Sequence, residues 1–251
     1  MPLESLLQAA QSSSRSFVPV FSRSFGSWKL SIDRRTFAPA ELAEHYDRKS
    51  SAWHATIDRH GFGHAYQRLI GKVLRQQRYQ QTAPELRVLD AGIGTGAMAI
   101  AFRNAIGRRF RIDGIDISPE MLRQADRELH KCDVDLTLRQ GELTDLSYAD
   151  NTFDVVLVAH VLEHLPDPQI ALAEIFRVLK PGGIMICCIT RRSSVGAYIQ
   201  FLWRTHQVDV SSALRWLRNS GLQSVRAIPF EKHSAGRRFS IGYVGRKPAQ
   251  V

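Results

Sequence analysis

The stretch Arg87-Val88-Leu89-Asp90-Ala91-Gly92-Ile93-Gly94-Thr95-Gly96-Ala97 decides the fold of this chain. A short apolar run ends in an acid, three glycines alternate, and a helical pattern follows, which predicts a strand, a tight turn and a helix N-terminus. Glycine lets the backbone turn sharply and approach a ligand, and free N–H groups at a helix start can bind a polar or anionic group. The glycine spacing alone also fits a dinucleotide fingerprint, so two kinds of nucleotide ligand stay open.

Two acids at predicted strand ends favour one of these ligands. Asp90 lies two positions before the first glycine, Gly92, where its charge would repel a pyrophosphate but would suit an ammonium group. Asp116 ends a second apolar run that begins at Ile112, and an acid in that place can accept hydrogen bonds from both hydroxyls of an adenosine ribose. The pair therefore favours a cationic adenosine ligand over a dinucleotide.

These residues resemble the motifs of the class I S-adenosylmethionine-dependent methyltransferases, specifically the small-molecule type 11 group. The family's acid-x-Gly-x-Gly-x-Gly motif matches Asp90 to Gly96, and its ribose-binding acid matches Asp116. Segments 140–146, 151–160 and 177–183 look like its adenine segment, its fourth strand and the turn before its fifth strand. The matches stand in the family's order and cover about residues 85–190.

The resemblance implies an enzyme that uses S-adenosylmethionine as its cofactor. The fold that it implies is α/β: a Rossmann-like, seven-stranded, mostly parallel sheet with helices on both faces and an N-terminal helical lid. Glu142 takes the place of the family's adenine-capping acid, and Tyr46-Asp47 resembles an N-terminal element that closes over the cofactor, although a plain core tyrosine is an equal alternative. The expected cofactor-binding residues are Asp90, Ala91, Gly92, Gly94, Gly96, Asp116, Ile117, Glu142, Leu143, Ala159 and Tyr46.

The hydrophobic pattern supports such a sheet independently of the resemblance. Apolar strands and helices alternate from residue 86 to 190, which predicts a parallel sheet covered on both faces. Two further strands, 222–230 and 238–246, would close the sheet as an antiparallel pair. Ligands bind at the carboxyl ends of parallel strands, and Asp90, Asp116, Glu142 and His160 all fall at such ends.

The chain divides into residues 1–82, an N-terminal extension and helical lid, and residues 83–251, the cofactor-binding domain with 191–220 as a helical insertion on the substrate side. Phe21, Phe25 and Trp28 have the spacing of one helix face that Pro19 could begin. Such a face packs on its own domain or binds a membrane interface. Residues 1–36 are also rich in Ser and Arg, a composition that an organellar transit peptide shares.

Composition sets further bounds. The net charge of +10 divides into +3 for residues 1–40, −2 for 41–190 and +9 for 191–251, so the basic excess lies at the two ends. It suits an anionic partner or simply a solvated arginine-rich surface. The three cysteines show no metal-binding spacing, and no apolar run reaches the roughly 18 to 20 residues of a membrane span. We expect a cytoplasmic protein without a metal.

His160 and His164 are the candidate catalytic residues, because they flank the exit of the fourth strand of the predicted core. A hydroxyl or acidic carbon acceptor needs a base, and an unperturbed imidazole titrates near pH 6.5. Alternatively, His160 only lines the pocket and His164 packs against the next helix. The Asn-Pro-Pro-Tyr type of motif found in nucleic-acid amino methyltransferases is absent, which disfavours a nucleic-acid acceptor.

Aromatic residues cluster in the chain's ends, and we expect them to roof the cofactor. They are Phe17, Phe21, Phe25, Trp28, Tyr46, Trp53, Tyr198, Phe201, Trp203 and Trp216. Such a roof favours methyl transfer to an O, N or C atom of a hydrophobic or aromatic small molecule. A lipid- or quinone-directed enzyme with peripheral membrane contact is the alternative. RNA methylation, NAD-dependent oxidation and non-catalytic cofactor binding are the rival functions, and the oligomeric state stays open.

Overall fold

The architecture comes from a computed structural model of the chain. It describes residues 17–35, 39–47, 62–76, 85–107, 109–132, 134–191, 208–231, 234, 237 and 240–249. Nine strands are defined in this part: β1 (Phe17–Phe25), β2 (Trp28–Arg35), β3 (Leu86–Ala91), β4 (Phe110–Asp116), β5 (Asp135–Gln140), β6 (Phe153–Ala159), β7 (Leu179–Thr190), β8 (Gln223–Pro229) and β9 (Ser240–Arg246). The helices are α1 (Pro39–Asp47), α2 (Phe62–Gln76), α3 (Ala97–Ile106), α4 (Pro119–His130), α5 (Pro168–Val178) and α6 (Val210–Asn219), with a 3₁₀ turn at Leu162–His164.

Seven strands form the predicted sheet, in the order β5-β4-β3-β6-β7-β9-β8. The first five are mutually parallel, and β9 runs antiparallel to both β7 and β8. The Rossmann-like fold class is therefore confirmed, including the closing antiparallel pair. From β3 the chain adds β4 and β5 on one side and then returns to add β6 on the other side. The glycine-rich loop after β3 therefore lies at the switch point where ligands bind.

Helices cover both faces of this sheet because its central strands are apolar on both sides. One buried cluster joins α2, α3 and α4 to the sheet, and a second joins α5 and α6 to the opposite face. Cys187 and Cys188 in β7 are both fully buried, as a core position predicts. Ser118 caps α4 as its sequence indicates: its hydroxyl accepts a hydrogen bond from the Met121 N–H at 3.0 Å, and Pro119 follows it.

The helix predicted from Pro19 through Trp28 is wrong. Residues 17–35 form an antiparallel hairpin, β1 and β2, which is a separate two-stranded sheet. Gly26, with φ +58°, lies in the two-residue turn that joins the strands. Glycine at a positive φ supplies the backbone twist that such short hairpin turns need. The aromatic residues have helix-like spacing only because the two-residue turn offsets the alternation of side chains in β1 from the alternation in β2.

The helical part of the N-terminal extension is present as α1, which ends at Asp47 within the described residues. α2 belongs to the core, since Tyr66, Leu69, Ile70 and Val73 are buried against the sheet cluster. Trp53, Tyr198, Phe201 and Trp203 lie outside the described residues, as do the side chains of Phe17, Phe21 and Tyr46. No described helix has the length and apolar character that crossing a membrane requires.

Candidate active site

A cavity of about 300 Å³ opens at the carboxyl ends of β3, β4 and β6. Nine residues predicted from the sequence line it: Gly92, Gly94, Asp116, Ile117, Glu142, Leu143, Ala159, His160 and His164. Its volume lies at the lower end of the range typical of small-molecule sites. The parallel sheet brings these residues together because it gathers the ends of separate strands at one edge.

The three glycines of the loop after β3 have different tasks. Gly92 (φ +75°) lies so close to Val161 that a Cβ on it would overlap that side chain. A Cβ on Gly94 (φ +53°) would meet no atom within 4 Å and would project into open space at the cavity. Gly96 does not line the cavity: a Cβ there would lie 3.1 Å from Leu129 of α4. Gly96 thus permits close packing of α3 on α4.

Asp116, at the end of β4, is fixed by the backbone around it. One of its oxygens, Oδ2, accepts a hydrogen bond from the Gly94 N–H at 2.9 Å, and Oδ1 accepts one from the Ser118 N–H at 3.0 Å. Burial raises the pKa of this carboxyl to about 6, although these backbone hydrogen bonds work in the opposite direction. Each oxygen keeps a second lone pair for a ligand hydroxyl.

Asp90 lies at the end of β3, next to the glycine loop, and is only 1% exposed. Among the described residues, no side chain donates a hydrogen bond to either carboxylate oxygen, and the backbone N–H of Ala99 is the one nearby group that lowers its pKa. Burial, and then the charge of Asp116, raise the pKa of Asp90 to about 8. A buried acid without a side-chain donor is costly, so the geometry fits a cationic group brought by a ligand. Ala91, like Asp90, is buried and not part of the cavity wall.

Residues from the end of β4, from α4 and from the loop after β5 also line the cavity. Ile117, Met121 and Leu143 supply apolar surface there. Glu142 is exposed at the rim, where the Thr144 hydroxyl donates to its Oε2 at 3.3 Å. An apolar slot with a carboxylate at its edge fits a flat heterocycle that carries an amino group.

The N-terminal helix α1 reaches this site through Asp47. Oδ1 of Asp47 accepts hydrogen bonds from the Ser118 hydroxyl at 2.5 Å and from the Glu120 N–H at 3.3 Å. These bonds fasten the end of α1 to the start of α4, and Leu42 of α1 lines the cavity. The sequence singled out the Tyr46-Asp47 pair through Tyr46, but the described contacts come from Asp47.

His160 is held by a buried polar network at the exit of β6. Its Nδ1 lies 3.2 Å from Glu163 Oε1 and 3.0 Å from Thr190 Oγ1, and its Nε2 lies 3.3 Å from Ser240 Oγ. Its side chain is 9% exposed, and its backbone adopts φ +58°, an uncommon region for a residue with a Cβ. Both ring nitrogens therefore have protein neighbours, which suits a positioning role.

Glu163 is the anchor of this network. Its Oε1 also accepts hydrogen bonds from the Thr190 N–H at 2.9 Å and the Thr190 hydroxyl at 2.8 Å. Burial alone would raise the pKa of Glu163, but the hydrogen bond and charge of His160, the charge of His164 and the Thr190 N–H outweigh it, so the pKa falls to about 2. An ionised carboxylate thus fixes the orientation of His160.

His164, like His160, lines the cavity, and it lies on the 3₁₀ turn after β6. Its chain neighbours Val161, Leu165 and Pro166 contribute apolar side chains to the same lining. The sequence did not identify six of the lining residues, namely Leu42, Met121, Thr144, Val161, Leu165 and Pro166. They are common apolar or small polar types whose place depends on tertiary packing. Among the described residues, no group of three or more His, Cys, Asp or Glu side chains could hold a metal ion.

The fold and this site define a class of protein: an α/β domain that binds an adenosine-type cofactor at the switch point of its sheet. Residues 89–187 match the family model described as "Methyltransferase domain". This match confirms the resemblance to the class I S-adenosylmethionine-dependent methyltransferases of the type 11 group that the motifs predict. The prediction of S-adenosylmethionine as the cofactor is confirmed with it.

Proteins named as methyltransferases match about half of the chain. The demethylmenaquinone methyltransferase of Staphylococcus carnosus (strain TM300) is 33% identical over 126 residues, which are 50% of this chain and 52% of that protein. The demethylmenaquinone methyltransferase of Lysinibacillus sphaericus (strain C3-41) is 30% identical over 136 residues, or 54% and 58% of the two chains. The chain spans about half the length of these relatives.

Solved structures share the fold over a larger part of the chain. A possible histamine N-methyltransferase from Thermotoga maritima superposes with a TM-score of 0.64 at 19% identity, and covers 82% of this chain and 99% of its own. The [4+2]-cyclase SpnF superposes with a TM-score of 0.66 at 18% identity, and covers 86% and 98%. Since a cyclase shares this fold, the fold alone does not define the reaction.

Proposed function

We propose that the protein transfers the methyl group of S-adenosylmethionine to a hydrophobic, aromatic small molecule of the quinone type. The observation that carries the proposal is a cavity with an apolar wall that Asp116 lines, with the buried Asp90 at the end of the neighbouring strand β3. The bacterial relatives named for methylation of demethylmenaquinone support the choice of acceptor class. Methylation of other small-molecule O, N or C atoms is the broader form of the same proposal.

Three acidic side chains of the chain would each hold a different part of the cofactor. Asp90 would accept the ammonium group, Asp116 the two ribose hydroxyls, and Glu142 the adenine amine. Gly94 leaves room for the ligand, and Gly92 lets Val161 pack against the loop. When bound, S-adenosylmethionine supplies an electrophilic methyl group on a sulfonium. The residues around it then have to orient the acceptor, exclude water and, for a hydroxyl or acidic carbon, accept a proton.

The acceptor side is the apolar wall of Val161, Leu165 and Pro166, together with Leu42 of α1. We propose that the lid is narrower than residues 1–82 and consists of α1 with its Asp47 attachment, because α2 is part of the core. The segment 191–220 keeps its proposed place as the substrate-side insertion. The exposed Phe25 and Trp28 are not part of the cavity lining, so the predicted aromatic roof does not include them.

A transfer assay tests this function. The full chain is incubated with methyl-labelled S-adenosylmethionine and either demethylmenaquinone in its reduced form, a catechol or a primary aliphatic amine, and calorimetry measures cofactor binding in parallel. Label in the quinol product supports the proposal. Cofactor binding without label in any acceptor would favour a non-catalytic or cyclase-like role, and the absence of cofactor binding would refute the proposal altogether.

A cytoplasmic location, which we also propose, accords with the three free thiols of Cys132, Cys187 and Cys188.

Cofactor binding should release a proton from Asp90. Folding raises the pKa of this carboxyl from 3.8 to about 8. The protonated carboxyl therefore contributes fully to the stability of the folded protein below pH 3.8, and this contribution is lost as the pH rises towards 8. An ammonium ligand needs the ionised form. We therefore expect affinity to rise between about pH 6 and pH 7.5, below the range in which an α-amino group deprotonates.

Calorimetry in two buffers of different ionisation enthalpy measures this release. Asp90→Asn should remove most of the pH dependence and weaken binding about tenfold, because a charge-assisted hydrogen bond becomes a neutral one. The exposed Asp145→Asn is the matched control and should keep the wild-type profile. If the Asp90→Asn variant retains the same proton release, the ammonium group does not bind at Asp90.

We expect the two histidines to differ in effect. With a hydroxyl or acidic carbon acceptor, His164→Gln should lower turnover by roughly 10²-fold with cofactor affinity retained, since it removes the base at the cavity wall. His160→Gln should mainly lower the free energy of unfolding, by about 1–3 kcal/mol, because it weakens the hydrogen bonding of the buried Glu163. Single-turnover rates and thermal unfolding of both variants separate these effects. Near-normal turnover in both would indicate an amine acceptor or another base.

A further inference from the structure

The hairpin β1–β2 is an amphipathic ribbon that lies outside the core sheet. Residues opposite each other in an antiparallel pair point to the same side, and the register pairs Phe25 with Trp28 and Arg23 with Leu30. These four residues therefore share one face. Ser24 pairs with Lys29 and lies on the other. The hairpin has an apolar face next to its turn and a polar face behind it.

The apolar face is open to solvent. Trp28 is 80% exposed, Leu30 56% and Phe25 53%, and they are three of the five exposed large hydrophobic side chains among the described residues. The Arg23 guanidinium lies 5.1 Å from the centre of the Phe25 ring. All residues from 23 to 31 are exposed. Isolated two-stranded hairpins are at best marginally stable in water, so an apolar surface that receives this face would stabilise it.

The charge of the segment indicates the nature of that surface. No acid occurs between Glu4 and Asp33, whereas Arg15, Arg23 and Lys29 lie between them. Tryptophan favours the boundary between lipid and water, where its apolar ring meets a polar layer. Phenylalanine and leucine insert at the same boundary as apolar groups. Arginine and lysine beside them are attracted to anionic headgroups.

We propose that the tip of this hairpin, residues 23–30, inserts into an anionic membrane surface with Phe25, Trp28 and Leu30 in the acyl–headgroup boundary. The proposal deepens the proposed function, because an acceptor of the quinone type partitions into lipid and would be reached there. A second copy of the chain fits the face less well. Its cations would oppose each other, and three side chains cover far less than the ~800 Å² per partner of a stable protein interface.

Vesicle sedimentation of the full chain tests the proposal. The probes are vesicles of phosphatidylcholine alone and of phosphatidylcholine mixed with phosphatidylglycerol. We expect binding to the mixed vesicles only, and weaker binding at higher salt. Trp28→Ser and Leu30→Ser should each lower the affinity about tenfold or more, since each removes a large apolar group from lipid. Lys29→Ser should lower it about fivefold.

Ile170→Ser is the matched control, because Ile170 is as exposed as Phe25 (53%) but belongs to α5. It should bind vesicles like the wild type. Quenching of tryptophan fluorescence by brominated lipid should be reduced in Trp28→Phe. If the wild type does not bind anionic vesicles, if it binds neutral ones equally well, or if Trp28→Ser binds normally, the proposal is wrong.

The outcomes also separate this proposal from the proposed function. The hairpin variants should keep wild-type affinity for S-adenosylmethionine and wild-type transfer to a water-soluble acceptor without vesicles, because the hairpin residues do not line the cavity. Vesicle binding is measured without any transfer, so either proposal can fail while the other stands. Self-association in sedimentation velocity that Trp28→Ser abolishes, without vesicle binding, would assign the face to a second copy and overturn the membrane proposal.

Discussion

Gly94→Val should abolish measurable binding of S-adenosylmethionine. Gly94 has φ +53° and faces open space at the cavity, so the valine side chain would enter the space that the cofactor needs. A β-branched residue also rarely adopts a positive φ. We expect a loss of affinity of at least about 10³-fold by calorimetry, since overlap with the ligand removes several kcal/mol of binding energy. Gly94→Ala should weaken binding less.

Gly107→Val is the matched control for this change. Gly107 has φ +62° at the end of α3, and a Cβ there would also meet no atom within 4 Å. The two variants therefore carry the same backbone strain, and only Gly94 adjoins the cavity. Similar thermal stabilities with very different affinities are expected. A Gly94→Val protein that folds and binds the cofactor normally would show that the ligand does not occupy the glycine loop.

Asp116→Ala should lower cofactor affinity by about 100-fold or more. In its proposed role the carboxylate would accept two ribose hydroxyls, and hydrogen bonds to a charged group contribute roughly 1.5–3 kcal/mol each. Asp116→Asn should have an intermediate effect, because it keeps one acceptor oxygen without the charge. Calorimetry with S-adenosylmethionine and S-adenosylhomocysteine measures both, and the two ligands should lose similar amounts because they share the ribose.

Asp116 also accepts the N–H groups of Gly94 and Ser118, so its removal has a structural cost. Asp209→Ala provides the control, because Asp209 accepts the Ser212 N–H at 2.8 Å as the cap of α6, away from the cavity. It should lose stability by about 1 kcal/mol but no affinity. Unchanged affinity in a folded Asp116→Ala protein would remove this residue from the ribose site.

The best sequence predictions concern segments whose structure is set locally. Strands β3, β4 and β6 lie within the alternating stretch predicted for residues 86–190, and helix α6 lies within the predicted helical segment 191–220. Each is a short apolar or amphipathic run with clear breaks at both ends. In each, the local backbone preference and the burial of apolar side chains favour the same element. Because the strands are parallel, their carboxyl ends lie at the same edge of the sheet. Nine predicted residues therefore line one cavity.

The hairpin shows where a periodic pattern misleads. The spacing of Phe21, Phe25 and Trp28 fits a helix, but Arg23, Phe25, Trp28 and Leu30 also alternate once the turn at Gly26 is allowed. A few aromatics cannot distinguish a period of 3.6 from a period of 2 across a turn. The Gly26-Ser27 dipeptide between alternating residues was the available signal for a hairpin.

By itself, the sequence determined the doubly wound sheet, the cofactor class and the acids at the strand ends, because these depend on patterns within short segments. Only the tertiary structure decided the roles that depend on distant partners. Gly96 makes room for Leu129, Asp47 fastens α1 to Ser118 across 71 positions, and Glu163 fixes His160 together with Thr190. Such contacts join residues far apart in the chain, so their energies arise only when the sheet and helices have packed.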